Sequence, residues 1–299
     1  MWKKILGHRK QIEQLAAALQ QKKTAHAYLF SGIEGIGKKQ TAIGLAQGLN
    51  CPDEKETPCG HCLSCQKIAN GTHPDCTLIE PAGTSIKIDV IRELKQKIYL
   101  HPLEGKAKVV LIDQAEAMTE AAANALLKIL EEPPRQTFFI LISARPMQLL
   151  PTIRSRCQRL EFNPLTEQTI AEKLMQEKMP KEEALKRAEI SGGSLTTALQ
   201  FDLALLEQTK EQLKQLGKKP APSQIFNLSE MWADEEEKLP LILNALDQLW
   251  HRQILHTEDG AQMEKAVAEW GALQNVRRGL EGYANKQLLL ENLLFRLTR

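Results

Sequence analysis

Five short apolar runs are spaced along the first 165 residues and are separated by segments with helical spacing. They cover residues 27–31, 76–79, 109–112, 138–142 and 159–162. Continuous apolar strands of this length, separated by helices, are typical of a parallel sheet that is covered on both faces. The pattern therefore predicts an α/β domain in this part of the chain.

One helix of this domain is marked at both ends. Its apolar residues recur on one face between Met118 and Leu130, and Thr119 can cap its start. Pro133 and Pro134 end it, because proline cannot continue a helix.

The strand pattern ends after Asn163-Pro164. Helical spacing continues over residues 166–177 and 181–191, and the turn Gly192-Gly193 precedes a third helix. Beyond these helices the chain is predicted to be all-α, with leucine-rich stripes near residues 242–254 and 289–297. Such stripes are more often core than partner surface.

Composition agrees with a folded chain and limits its partners. Hydrophobic residues make up 42% and charged residues 25%, which excludes global disorder, and the net charge of +2 argues against a polybasic nucleic-acid or membrane binder. Residues 1–50 are nevertheless basic, with eight lysines and arginines against two glutamates.

The compartment in which the protein is expected determines how its cysteines are interpreted. No apolar run approaches the ~20 residues of a membrane span, and the first residues lack the apolar stretch of a signal peptide. We therefore expect a cytoplasmic protein without a membrane partner. In that compartment the six cysteines indicate metal ligands or buried thiols rather than disulfides.

A phosphate loop is predicted between the first strand and the next helix. Gly32, Gly35 and Gly37 allow backbone N–H groups to wrap around a phosphate, and Lys38 can reach its terminal oxygens. Asp113 directly follows the third apolar run, where an acidic residue can hold Mg²⁺. These residues are candidate nucleotide ligands.

Two positions depart from the pattern of an active ATPase. Lys39 stands where a serine or threonine hydroxyl would hold Mg²⁺, and Thr41 would face elsewhere on the helix. Gln114 follows Asp113, where a glutamate would polarise the attacking water. Glu116 remains open as a substitute for that glutamate. We expect little ATP hydrolysis by this chain.

Four cysteines lie just after the phosphate-loop helix. Cys51, Cys59, Cys62 and Cys65 have the spacing of a closed tetrahedral Zn²⁺ site, which would be structural because it has no open position. Two alternatives are weaker. His61 or His73 could replace a ligand, or two of the cysteines could form a redox pair.

Arg156 lies between the fourth and fifth apolar runs. Taken alone, an arginine at this place is more often part of a structural ion pair. Held rigidly at a sheet end, it can instead stabilise the charge of phosphoryl transfer.

These segments together resemble the AAA+ subunits of the bacterial clamp loader of DNA polymerase III. The resemblance covers roughly residues 5–205 and is carried by residues 26–32 and 122–134, the four-cysteine insert and Ser155-Arg156-Cys157. It implies a RecA-like AAA+ domain over residues 1–165 with a zinc module at about 50–75. A small helical lid over 166–206 and an all-α collar over 207–299 would follow.

The resemblance also implies a function. Clamp-loader subunits form a ring of five that opens the sliding clamp and places it on primed DNA during replication. ATP lies at the subunit interfaces, and the arginine of each Ser-Arg-Cys motif acts on the nucleotide of a neighbour. Arg156 is thus expected to be an arginine finger that acts in trans.

One branch of the family keeps this finger but lacks a working ATP site, and the chain fits that branch. Besides Lys39 and Gln114, Thr196 replaces the lid arginine that senses the γ-phosphate in active loader ATPases. Because Lys38 and Asp113 remain, binding of ATP or ADP stays open. The expected partners are subunits of the gamma/tau and delta types.

Two other functions remain as alternatives. The chain could be an active gamma-like ATPase, which robust ATP turnover by the purified chain would reveal. It could also be a zinc-dependent nucleic-acid-binding module that acts alone, which tight, salt-sensitive DNA binding by the isolated chain would support.

Overall fold

The computed structural model describes residues 2, 5–53, 57–200, 202–217, 220–235, 238–257, 259–280 and 284–298. The chain divides into two compact units, Met1–Thr169 and Ile170–Arg299. The described residues of the first unit form a parallel sheet of five strands in the order β2-β3-β4-β1-β5. The strands are β1 (Ala27–Ser31), β2 (Cys76–Ile79), β3 (Lys108–Ile112), β4 (Thr137–Ser143) and β5 (Gln158–Glu161).

Helices cover both faces of this sheet, as the apolar strands require. The helices of the first unit are α1 (Arg9–Gln20), α2 (Lys38–Asn50), α3 (Leu63–Ala69), α4 (Ile88–Ile98), α5 (Glu120–Glu131) and α6 (Pro151–Arg154). Leu29 and Phe139 pack in one core with residues of α4 and α5. Their neighbours Phe30 and Ile140 are buried on the opposite face, where α2 contacts β1, β3 and β4. The predicted α/β fold class is confirmed.

The ends of α5 follow the predicted logic. The hydroxyl oxygen of Thr119 accepts a hydrogen bond from the backbone N–H of Ala122 at 3.3 Å, and the helix ends at Glu131, just before the two prolines. A side-chain acceptor of this kind satisfies a backbone donor that has no partner within the helix.

Beyond β5, the described residues form helices only. These are α7 (Glu167–Gln176), α8 (Lys181–Ile190), α9 (Leu195–Gln200), α10 (Leu203–Leu216), α11 (Pro222–Asp234), α12 (Leu239–His256), α13 (Gly260–Leu280) and α14 (Lys286–Leu297). The predicted leucine stripes lie in the core of the second unit, where Leu246 and Leu290 are fully buried beside Trp232. The division of these helices into lid and collar stays a prediction. No helix among the described residues has the length and hydropathy to cross a membrane.

A buried carboxylate ties the segment before β3 to the start of β2. The Asp75 side chain is fully buried and accepts hydrogen bonds from the backbone N–H groups of Leu103, Glu104 and Gly105, each at 2.8 Å. The Nζ of Lys108 lies 3.6 Å from the same carboxylate. Burial alone would raise the pKa of Asp75, but these donors outweigh it and hold the pKa below its ordinary value.

Replacing Asp75 with alanine should therefore destabilise the first unit. The change leaves three backbone donors and the buried Lys108 without their acceptor, and we expect a loss of about 3–5 kcal/mol in the free energy of unfolding. Chemical denaturation monitored by circular dichroism measures it.

Asp89→Ala is the matched control, because Asp89 pairs with Arg92 in a side-chain contact that is largely exposed, and it should cost less than about 1 kcal/mol. Because the native pKa of Asp75 is lowered, its contribution is complete above a pH of about 4 and declines as the pH falls further. Equal stability of the two variants at neutral pH would contradict this account.

Candidate functional site

The phosphate loop joins β1 to α2, and its backbone requires glycine. Gly32, Gly35 and Gly37 have φ angles of 149°, 74° and 99°, which L-residues with side chains rarely adopt. A Cβ atom on Gly32 would lie 2.3 Å from the carbonyl oxygen of Phe162. The loop therefore has the glycine-dependent shape that the sequence predicts, and it ends at the N-terminus of a 13-residue helix.

Lys38 lies inside this loop. Its side chain is almost fully buried, and its Nζ donates hydrogen bonds to the carbonyl oxygens of Gly32 at 2.5 Å and Ile33 at 2.6 Å. Burial lowers the pKa of Lys38, although nearby carboxylates counteract the shift. The lysine thus holds the loop together from within and carries its charge at the centre of the loop.

Lys39 points to the edge of the sheet where β2 and β3 end. Its Nζ lies 2.6 Å from Oε1 of Glu80 and 3.4 Å from Oδ2 of Asp113. Burial lowers the pKa of Lys39, but the hydrogen bond to Glu80 and the charge of Asp113 outweigh it and raise the pKa. The ammonium therefore contacts the carboxylate that would have to ligate Mg²⁺.

The residues at this edge do not fit a divalent cation held in the usual way of a phosphate loop. Lys39 offers an ammonium in place of a hydroxyl ligand, and an ammonium has no lone pair for a metal. Thr41 cannot supply the hydroxyl, because it is fully buried and its Oγ1 donates to the carbonyl oxygen of Gly37 at 2.9 Å.

Gln114 and Glu116 follow Asp113 and make hydrogen bonds near the carboxyl ends of β3 and β4. Gln114 adopts a left-handed backbone with φ of 48°, and its N–H donates to Oδ1 of Asp113 at 3.0 Å. Oε1 of Glu116 accepts hydrogen bonds from the backbone N–H groups of Ala144 and Arg145 at 2.9 and 3.2 Å. Its Oε2 is buried and has no hydrogen-bond partner among the described residues. Glu116 thus ties the end of β4 to the site through one of its two oxygens.

Arg156 lies at the opposite edge of the sheet from the phosphate loop. The loop follows the carboxyl end of β1, whereas Arg156 precedes the amino end of β5, and these two strands are parallel neighbours. Nη2 of Arg156 donates to Oε1 of Glu131 at 2.7 Å, and Nη1 donates to the carbonyl oxygen of Thr152 at 3.0 Å. The side chain is 34% exposed. Arg156 thus forms an ion pair and still reaches the surface of its unit.

The four predicted metal ligands meet at one point. The sulfur atoms of Cys51, Cys59, Cys62 and Cys65 all lie within 4.8 Å of one another. The Cys51–Cys62 and Cys59–Cys65 sulfur pairs are 4.0 Å apart. A tetrahedron with metal–sulfur bonds of about 2.3 Å has edges of about 3.8 Å. The cluster can therefore hold a metal ion.

A short helix, α3, helps to build this cluster and is not among the helices that the sequence predicts. Cys62 caps the helix, because its sulfur accepts a hydrogen bond from the N–H of Cys65 at 3.4 Å. The sulfur of Cys59 accepts from the N–H of Cys62 in the same way, also at 3.4 Å. Repeated N–H···S contacts of this kind stabilise negative charge on sulfur.

Cys59 is more acidic than an ordinary thiol, whereas Cys51, Cys65 and the two cysteines outside the cluster are less acidic. Burial raises the pKa of Cys59, but N–H donors, including those of His61 and Cys62, outweigh it and lower the pKa to about 6. Burial raises the pKa of Cys51 and Cys65. It raises the pKa of Cys76 and of Cys157 to about 12 each, so these two thiols remain protonated at neutral pH.

The two histidines near the cluster make other contacts. His61 is exposed, and its Nδ1 lies 3.2 Å from the carbonyl oxygen of Cys59. His73 is buried, with its Nε2 3.2 Å from the Ser64 hydroxyl and its Nδ1 accepting from the N–H of Asp75 at 3.1 Å. Neither belongs to the group of potential ligands among the described residues.

Two contact residues are missing from the sequence-based candidates. Glu80 pairs with Lys39, and Glu131 pairs with Arg156. The sequence contains a signal for Glu80, because it directly follows an apolar run just as Asp113 does. Parallel strands that are neighbours end at the same edge of the sheet, so the two acids can be expected close together. Glu131 lies in the segment that carries the family resemblance, but its spacing along the chain does not show which cation it meets.

The comparisons with known proteins agree with this architecture. Residues 7–166 match the protein family described as "DNA polymerase III, delta subunit". The DNA polymerase III subunit delta′ of Pseudomonas aeruginosa is 35% identical over 300 residues, which cover 90% of this chain and 90% of the relative. The subunit delta′ of Bacillus subtilis is 41% identical over 160 residues, which cover 54% of this chain and only 49% of the relative.

A solved structure shows that the fold is shared over nearly the whole chain. A DNA polymerase III gamma subunit-related protein from Thermotoga maritima superposes with a TM-score of 0.50 at 22% identity. The match covers 96% of this chain and 98% of that chain.

The cysteine cluster makes a prediction about metal content. We expect the purified chain to carry one metal ion, and Cys59→Ser or Cys62→Ser should lose it, because a hydroxyl is a much poorer ligand than a thiolate. Elemental analysis after gel filtration measures the ratio of metal ions to protein chains.

Cys76→Ser is the control for this prediction, since Cys76 is a protonated thiol outside the cluster. It should retain the ion. Full metal content in both cluster variants would rule out the assigned ligands.

Proposed function

We propose, since the chain belongs to the delta′ family of DNA polymerase III subunits, that it is a largely non-catalytic member of the clamp-loader ring and donates Arg156 to a neighbour's ATP site. The observation that carries this proposal is the position of Arg156. It lies at the sheet edge opposite the chain's own phosphate loop, so its charge is of no use to a nucleotide bound there. At this edge Arg156 can instead contact a nucleotide phosphate that is bound by another subunit.

The contacts of Arg156 suit that role. Glu131 and the carbonyl oxygen of Thr152 each take one N–H of the guanidinium, which has five. The remaining donors form part of a planar fork that matches phosphate oxygens. In phosphoryl transfer, an arginine supplied from outside the site raises the rate by ~10³–10⁵.

The chain's own nucleotide site supports a non-catalytic role. Lys39 occupies the position of the metal-binding hydroxyl and contacts Asp113, and Gln114 cannot accept a proton from water. Thr196 stands where an active loader ATPase carries its lid arginine. A gamma-like ATPase needs these three functions, so the site favours nucleotide binding without efficient hydrolysis.

The remaining parts of the proposal concern the assembly. We assign residues 166–206 to a lid and 207–299 to a collar that joins the chain to subunits of the gamma/tau and delta types. The ring of five would act on the sliding clamp and on primed DNA. Similarity to relatives named as delta′ and tau subunits supports partners of this class.

We further propose that the ion of the cysteine cluster is zinc and that its role is structural. Four thiolates leave no open position for a substrate or water. The ion would connect Cys51, the residue directly after α2, to Cys65 in α3. In small domains such binding contributes ~10–16 kcal/mol to folding. Its removal by a chelator should therefore unfold the insert.

The finger role is tested in a reconstituted loader with gamma- and delta-type subunits, the sliding clamp and primed DNA. Arg156→Ala should reduce the clamp- and DNA-stimulated ATPase severalfold, with the affected site losing on the order of 10³ in rate. Gel filtration should show an intact complex, because the change removes one partly exposed side chain. Arg156→Lys should recover little activity, since an ammonium lacks the planar fork.

Arg135→Ala provides the matched control, because Arg135 is an exposed arginine of the same unit, in the segment before β4. It should leave the ATPase unchanged. An Arg156→Ala loader with normal ATPase would show that the finger assignment is wrong.

A further inference from the structure

Lys39 forms an arrangement that a degenerate site does not require. Its Nζ lies between two carboxylates that end neighbouring strands, 2.6 Å from Glu80 and 3.4 Å from Asp113. The side chains of Lys39 and Asp113 are 34% and 19% exposed. The cation is therefore held at a defined place and is still accessible from outside.

This place is the one at which a phosphate loop meets its metal. Mg²⁺ in such a site bridges the acidic residue after the strand and the phosphate oxygens, and it neutralises their charge. Here the ammonium of Lys39 pairs with that acidic residue, Asp113, without a metal. An ammonium has three N–H donors, and the contacts to Glu80 and Asp113 use two of them, so a third can serve a phosphate oxygen.

The rest of the loop is built to receive an anion. Its three glycines keep the backbone open for N–H groups to point at a phosphate, and α2 presents its N-terminus there. Lys38 adds a second, buried positive charge within the loop. The phosphate loop thus keeps its anion-binding backbone, and the Lys39 ammonium lies where the metal would lie.

We propose that Lys39 takes the place of the divalent cation, so that this loop binds a nucleoside di- or triphosphate without Mg²⁺. The inference rests on the proposed function in that it concerns the chain's own non-hydrolysing site. A tethered ammonium beside Asp113 repels a second cation at the same place. The bound species is then the free nucleotide, which carries more negative charge than its magnesium complex.

The test is nucleotide binding by the full chain, measured by isothermal titration calorimetry with ATP and with ADP. One buffer contains excess Mg²⁺ and the other contains EDTA. The wild-type chain should bind at least as tightly in EDTA as in Mg²⁺. Lys38→Ala should lose binding in both buffers, which assigns the signal to this loop.

Lys39→Thr supplies the hydroxyl that an ordinary site has. It should weaken binding in EDTA by tenfold or more and should recover most of this loss when Mg²⁺ is added. Lys95→Thr is the matched control, because Lys95 is an exposed lysine of α4 in the same unit. It should behave like the wild type in both buffers.

Two results would overturn the inference without use of any variant. One is a wild-type affinity that rises tenfold or more with Mg²⁺, and the other is the absence of binding in both buffers. In the second case Lys39 blocks nucleotide binding instead of supporting it. Neither result affects the finger, which is judged separately by the ATPase of the assembled loader with Arg156→Ala.

Discussion

The parallel direction of the five strands is the constraint on which the other features depend. In a parallel sheet, every carboxyl end lies at one edge and every amino end at the other. Glu80 and Asp113 follow β2 and β3, and the phosphate loop follows β1. The two carboxylates and the phosphate loop therefore lie at the same edge of the sheet. Arg156 precedes β5 and lies at the other edge. The chain thus has two separate chemical edges, one that carries the phosphate loop with the two acids and one that carries Arg156.

Much of this arrangement could be predicted from the sequence, because it depends on local rules. Apolar runs predict every strand end to within one residue, and Thr119 with the two prolines predicts both ends of α5. The cysteine spacing predicts the cluster, because four cysteines within 15 residues have the spacing of a closed tetrahedral metal site. The identities of Lys39 and Gln114 already predict a degenerate site.

The contacts of long side chains could not be predicted in the same way. The partners of Lys39 and Arg156 lie 41 and 25 residues away along the chain, and many carboxylates are compatible with each lysine or arginine. Which one is met depends on strand order and on side-chain rotamers, neither of which leaves a pattern in the sequence. The cap of α3 is a different case, because a cysteine sulfur is a weak acceptor and propensity rules do not count it as a helix start.

In the proposed finger role, the pair between Arg156 and Glu131 has a consequence for the cost of assembly. An unrestrained arginine loses rotamer freedom when it docks, which costs about 0.5–1.5 kcal/mol for each immobilised side chain. Here the carboxylate and the Thr152 carbonyl already restrict the guanidinium within the single chain. The entropy is lost at folding, so preorganisation of the side chain reduces what remains to be lost when two subunits come together.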